Sequence, residues 1–188
     1  YETLSSSSKV LALFVDGQQV QELTSEGYVA LDQSPFYALS GGQVGDTGTL
    51  ENQNMKAEVT DVIKAPHKQH LHKVSINKGA LKVGDEVRAQ VDRERRLLIQ
   101  RNHTSVHLLQ QALIDVLGDH IAQAGSYVDQ DYARFDFTHF EKVTPAQQQL
   151  VMDKVNQWII ESNDRTATGR DRAMDGDTST DMRDTPGT

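Results

Sequence analysis

The sequence predicts an α+β fold: a small β-barrel, then an α/β domain built on one long helix, then a disordered C-terminal tail. Three observations carry that prediction. Residues 1–92 read as short alternating strands broken by glycine turns at the spacing of a small barrel. At Asp92 the apolar period changes from two to between three and four, and residues 93–162 hold two helical segments around a hairpin. Residues 163–188, NDRTATGRDRAMDGDTSTDMRDTPGT, alternate Asp with Arg and carry almost no apolar side chain. Such a segment buries too little surface to offset its ordering entropy.

After a short polar leader, Lys9–Val15 reads as a strand, Asp16-Gly17 as a hairpin turn and Gln18–Leu23 as its return. Tyr28–Asp32 is a further short strand. Leu31–Gly48, LDQSPFYALSGGQVGDTG, holds four glycines and one proline and is too irregular for helix or strand throughout. Lys56–Ile63 and His70–Ile76 alternate as strands, and turns at Gly79 and Gly84-Asp85 lead to the period-two run Val87–Val91. The helix Arg93–Leu117, RERRLLIQRNHTSVHLLQQALIDVL, comes next. Leu98, Asn102, Leu109, Ala112, Leu113 and Val116 form its core-facing stripe, and Gly118 supplies a left-handed end. Ile121–Val128 and Tyr132–Thr138 form a hairpin about Asp129-Gln130-Asp131, with Ala133, Phe135 and Phe137 on one buried face. Thr144-Pro145-Ala146-Gln147 has the spacing of a capping box with proline at the first helical position. The helix it opens carries Leu150, Val151, Val155, Trp158 and Ile159 on one stripe and ends near Ser162.

At 188 residues the chain is long enough to bury a real core as one medium domain or two small ones. It has no cysteine, which excludes a disulfide framework and thiolate zinc ligands and fits a reducing, cytoplasmic setting. Its longest apolar runs are a few residues, so no helix spans a membrane, and YETLSSSSK lacks a signal-peptide core. The net charge of −8 argues against bulk electrostatic binding to DNA or to nucleic acid in general. Arg93, Arg95, Arg96 and Arg101 form a local exception.

His103 and His107 stack one turn apart on the long helix, a spacing that lets two imidazoles reach one metal or line one wall of a cleft. The same spacing is common on plain polar surfaces. Thr104 stands where an HExxH protease carries its glutamate, so that chemistry is absent. The other histidines, His67, His70, His72, His120 and His139, form no comparable pair. The first three read as solvated, and His139 as a polar strand cap. SGGQVGDTG is neither a phosphate loop nor a dinucleotide fingerprint, because no GK[ST] comes after it and no strand–helix unit surrounds it. It reads as a barrel loop in which Gln43 and Asp46, set between glycines, can meet a ligand that approaches the backbone closely. The arginine cluster is either a solvated helix start or, beside a histidine-edged cleft, a set of bidentate phosphate partners that includes Arg101. No nucleophile–base–orienter triad stands out.

Taken in order over about residues 9–161, three segments resemble one family. KVLALFVDGQQV, LDQSPFYALSGGQVGDTG and VDRERRLLIQRNHTSVHLLQQALIDVLGDHIAQAGSYVDQDYARFDFTHF look like the editing region of bacterial alanyl-tRNA synthetases. Free-standing alanyl-tRNA editing proteins share these motifs. Threonyl-tRNA synthetase editing domains share the HxxxH helix but not FYALSGGQVGDTG, and rank lower. The resemblance implies a barrel packed on an incomplete α/β editing domain that hydrolyses tRNA(Ala) mischarged with serine or glycine. It implies zinc ligation by His103 and His107. Gln123, in the strand segment QAGS, becomes the candidate that holds the aminoacyl end or its attacking water. Gln43, Asp46, Val106 and Arg101 become candidate substrate contacts. ATP would serve only alanylation, whose domain has no counterpart here, and the resemblance gives no oligomeric state.

The departures shape the expectation. The family reads H[ST]ATHLLH where this chain reads HTSVHLLQ, so Val106 replaces a threonine hydroxyl and Gln110 a histidine. Leu39 stands where bacterial synthetases usually carry glutamate. The family's second ligand pair, in a CGGTH motif, is missing, and the polar tail begins after IIESN. The resemblance therefore implies a truncated editing region with an incomplete zinc site, binding zinc weakly and editing poorly or not at all. The main alternative is a non-catalytic tRNA- or partner-binding module.

Overall fold

A computed structural model describes residues 3–174, with side chains placed for residues 3–164. The architecture is α+β. Nine strands precede the first helix: β1 (Ser5–Val15), β2 (Gln18–Val20), β3 (Glu22–Leu23), β4 (Glu26–Leu31), β5 (Gly48–Glu51), β6 (Lys56–Lys64), β7 (His70–Lys78), β8 (Leu81–Lys82) and β9 (Glu86–Val91). The order β1-β4-β7-β6-β5-β9 closes through a β1–β9 pairing into a six-stranded barrel, with β2 hairpinned onto β1. Closure pairs both edges that an open sheet of these strands would expose.

β1 is long enough to serve two neighbours. Ser5–Lys9 pair with Gln90–Glu86 of β9, and Val10–Phe14 pair with Leu31–Tyr28 of β4 across a bulge. The polar leader is thus a barrel strand, because a ladder is made by the backbone whatever the side chains are. Ser8 within it is buried and donates to the Gln33 carbonyl at 2.7 Å. The expected return strand divides into β2 and β3, the latter pairing with β8. Inward positions of the alternating strands, among them Leu13, Val29, Leu50, Val59, Val74 and Ala89, fill the barrel.

His72 corrects the expectation of a solvated histidine. Register places it inside the barrel with no exposure. Its Nδ1–H donates to the Val29 carbonyl at 2.8 Å, and the Ser34 hydroxyl donates to Nε2 at 2.6 Å. Both ring nitrogens are therefore satisfied by the neutral tautomer. Burial pushes its pKa down to about 4, the Val29 hydrogen bond opposing this and nearby His70 adding to it.

Asp92 caps α1 (Arg93–Leu117) by accepting from the Arg95 amide at 3.1 Å. The hairpin of β10 (Ala122–Val128) and β11 (Ala133–Thr138) comes next, then α2 (Pro145–Met174). Thr144 and Gln147 close the predicted capping box in both directions, at 3.2 and 2.9 Å. A second core gathers Ala112, Leu113, Ile121 and Val151, with Leu109, Phe135, Phe137, Val155 and Trp158 packed against it. Leu98 does not join this stripe and is 43% exposed, because the first half of α1 turns Arg96 and Ile99 inward instead. Leu150 is likewise exposed.

α2 also runs past Ser162. Residues 163–174, expected to be disordered from their composition, continue the helix to Met174. Helix propagation adds one backbone hydrogen bond per residue fixed, so a packed stem extends a polar segment that could not nucleate alone. The rest of the expected tail, residues 175–188, lies outside the described residues. No described helix is long and apolar enough to cross a membrane.

Candidate functional site

The loop that carries Gln43 is docked on the end of β10 through a single parallel bridge, Gln43 to Val128. The Val44 amide donates to the Val128 carbonyl at 3.1 Å, and the Val128 amide donates back to the Gly42 carbonyl at 2.9 Å. Gly42 makes this approach possible: its φ is +83°, and a Cβ there would stand 2.2 Å from the Ser126 carbonyl oxygen. Docking leaves Gln43 only 7% exposed. It lines a cavity of about 470 Å³ with Gln100, His103 and Thr104 of α1. Two amides, a hydroxyl and an imidazole therefore face one open space without a formal charge among them.

His103 and His107 meet as the helical spacing requires. Their Nε2 atoms are 2.9 Å apart and the rings sit edge-on at 4.7 Å. Burial, and then the neighbouring His107, hold the His103 pKa below the usual imidazole value. It is thus neutral, as a metal ligand must be. Tetrahedral zinc with bonds near 2.05 Å sets two imidazole nitrogens about 3.3 Å apart, so a small opening of the pair would admit the ion. Two donors fit half of a tetrahedral set. Among the described residues no group of three or more His, Cys, Asp or Glu side chains is placed to hold a metal.

Gln123 is exposed on β10 and tied to the same loop: it donates to Ser126 Oγ at 3.1 Å, which donates to the Gly41 carbonyl at 3.3 Å. Asp46 is placed differently from Gln43. It is buried, accepts from the Tyr37 amide at 2.7 Å, and is ion-paired with buried Arg96. Arg101 is exposed and borders a groove of about 620 Å³ between α1 and α2, with Leu97, Leu108 and Ile159. Gln100 and Thr104 border both spaces, so the groove adjoins the cavity. Val106 is half-buried and borders neither.

Gln100 and Thr104 belong to this wall, and sequence reasoning missed them. The signal was present, since both lie within a turn of His103 on one helical face. A second histidine contact was also missed: His120 Nε2 and His139 Nδ1 are 2.7 Å apart across the mouth of the hairpin. The register Ala122↔Thr138 brings them together from 19 residues apart. Among the described residues the two pairs do not gather into one group of ligands able to hold a metal.

Comparison with known sequences decides the family. The family profile described as tRNA synthetases class II (A) matches residues 1–95. The chain belongs to this family. Within it, the chain is similar to the alanine--tRNA ligase of Geobacillus thermodenitrificans, 48% identical over 164 residues that make up 86% of this chain and 19% of that protein. The alanine--tRNA ligase of Alkaliphilus oremlandii is 45% identical over 162 residues, 85% of this chain and 18% of that protein. That of Listeria innocua is 45% identical over 163 residues, 86% of this chain and 18% of that protein. The chain thus spans about a fifth of the length of the curated relatives it matches. The class II (A) match reaches into the first turn of α1. The pairwise likeness is longer than the profile match and so extends into the chain beyond that turn.

Proposed function

We propose that this chain is an editing region that hydrolyses tRNA(Ala) mischarged with serine or glycine, organised as a barrel (residues 1–92) and a partial editing domain (residues 93–162). The observation that carries the reading is the convergence of Gln43 and His103 on one cavity, from two segments 60 positions apart in the chain. An aminoacyl ester is already activated, so a site that hydrolyses it has mainly to orient the ester and a water. Gln43, Gln100 and Thr104 offer donors and acceptors for the amino acid and the terminal ribose. Gln123, tethered to the same loop through Ser126, holds the aminoacyl end or its attacking water. Arg101, at the adjoining groove, meets tRNA phosphates, and Val106, half-buried beside the histidines, acts on the substrate only through them. Asp46 acts from behind the loop instead of on the substrate.

Zinc held by His103 and His107 would supply a Lewis acid that orders the amino acid's polar groups. Two imidazoles alone give a weak site, and we assign this chain weak zinc binding and poor hydrolysis. Alanylation with ATP is left to other parts of such ligases, and the reading places the chain in the cytoplasm. A second reading, a tRNA- or partner-binding module without hydrolysis, is favoured by the two-donor zinc set. Deacylation of seryl-tRNA(Ala), with and without zinc, in the wild type and His103→Ala separates the two. Zinc-stimulated hydrolysis lost in the variant supports editing. Unchanged tRNA affinity without any hydrolysis supports the binding module.

A further inference from the structure

We infer that the Arg96–Asp46 ion pair is the positioning device of this site: it sets where Gln43 stands against His103, although neither partner borders the cavity. The inference rests on the editing reading for its function and on the geometry of the pair for its substance. Arg96 lies about two helical turns before His103 on α1. Both partners are buried, at 4% exposure each. Besides pairing with Asp46, the Arg96 guanidinium donates to the Pro35 carbonyl at 2.6 Å and the Thr3 carbonyl at 3.0 Å. Asp46 in turn closes the base of the loop. Its carboxylate accepts from the Tyr37 amide at 2.7 Å, and its own amide donates to the Tyr37 carbonyl at 2.9 Å. One planar group on the long helix thus grips both ends of the segment 35–46, and Gln43 lies inside that closed segment.

The neighbouring residue reinforces the grip. Arg95 donates to the Gly45 carbonyl at 2.8 Å and to Gln130 in the hairpin turn at 3.2 Å. A buried ion pair is weak evidence for stability, since apolar side chains of equal volume often hold a fold as well. What apolar packing lacks is direction. A guanidinium presents its donors in a rigid plane, and here that plane meets a carboxylate and two carbonyls from three stretches of chain. The acidic residue of GGQVGD and the third arginine of RERR are therefore two halves of one part, and the site's loop is aimed by the helix that carries its histidines.

The test is amide hydrogen exchange by NMR on the whole chain, comparing wild type with Asp46→Asn and Arg96→Lys. The reporters are the amides of Val44 and Val128, which dock the loop, and the side-chain amide resonance of Gln43. In Asp46→Asn the two backbone reporters should exchange roughly tenfold faster or more, and the Gln43 resonance should shift, while amides of β6 and β7 keep their protection. Arg96→Lys, which keeps the charge but not the planar fork, should give the same local pattern at smaller amplitude. Unchanged reporters, a uniform loss across the barrel, or unfolding of both variants would overturn the inference, since the pair would then be idle or merely structural. Deacylation kinetics of seryl-tRNA(Ala), where turnover is seen, should show a fall in kcat with KM held. Reporters that respond in a protein without hydrolysis would leave the positioning role standing and remove the editing reading.

Discussion

Ser34 donates a 2.6 Å hydrogen bond to Nε2 of His72 inside the barrel, while the opposite ring nitrogen donates to the Val29 carbonyl. The neutral ring satisfies both contacts, whereas protonation would place a charge inside the apolar barrel, and burial is what disfavours it. The His72 pKa of about 4 lies below the unfolded value of 6.5, so the unfolded chain takes up the proton first as pH falls. Stability from this group is complete above pH 6.5 and is lost as pH falls towards 4. The full loss is about 3 kcal/mol, with a slope near 1.4 kcal/mol per pH unit. Urea unfolding of wild type and His72→Phe between pH 7 and 4.5 should show that slope only in the wild type; parallel curves would refute the assignment.

Two adjacent glycines should respond very differently to alanine. Gly41 has a φ of +57° with nothing within 4 Å of an added Cβ, whereas at Gly42 that atom would meet the Ser126 carbonyl at 2.2 Å. Gly41→Ala incurs only the left-handed backbone term, roughly 1–2 kcal/mol. Gly42→Ala must also part the loop from β10, which removes the Val44 and Val128 hydrogen bonds and adds about 2 kcal/mol more. Chemical denaturation of both variants would check the order, and equal losses would mean that the loop does not dock on Ser126.

Much of this architecture was legible because its causes are local. The Asp16-Gly17 turn, the Asp92 cap, the Thr144–Gln147 box and the period switch after Val91 each write themselves into a few adjacent residues. What sequence could not show was partnership at long range. Ser5–Ser8 look like a leader until β9 closes the barrel on them. His72 looks solvated until Val29 and Ser34 arrive from other elements. Arg96 looks like one more surface arginine until Asp46, 50 residues earlier, meets it. At the site, the spacing of His103 and His107 was readable directly, whereas the place of Gln43 beside their helix depended on a loop whose docking no periodicity encodes.

The reciprocal cap at the start of α2 gives a simple check on the second core. Thr144→Ala removes the hydroxyl that accepts from the Gln147 amide at 3.2 Å. The loss should be about 1 kcal/mol. Because α2 packs on α1 through Val151 and Trp158, near-ultraviolet circular dichroism of Trp158, the chain's one tryptophan, reports it directly. A variant with unchanged denaturation midpoint would show that this cap does not limit the docking of α2.

Zinc affinity is the measurement on which the site reading turns. His103 and His107 already face each other, but their 2.9 Å contact must open before an ion enters, and they supply two donors only. A full tetrahedral set is worth roughly 10–16 kcal/mol at neutral pH, so two ligands should reach about half of that, a Kd between about 10⁻⁶ and 10⁻⁴ M. Equilibrium dialysis gives the affinity, and zinc-dependent shifts of the His103 and His107 ring resonances identify the site against the separate His120–His139 contact. His103→Ala should weaken binding at that site roughly tenfold or more, leaving one imidazole. Stoichiometric binding well below about 10⁻⁶ M would mean that further donors reach the pair, and affinity untouched by His103→Ala would place the metal elsewhere. Burial, and then the neighbouring His107, hold the His103 pKa below the usual imidazole value, which favours the neutral ring that zinc requires, and acid should release the metal by protonating the ligands.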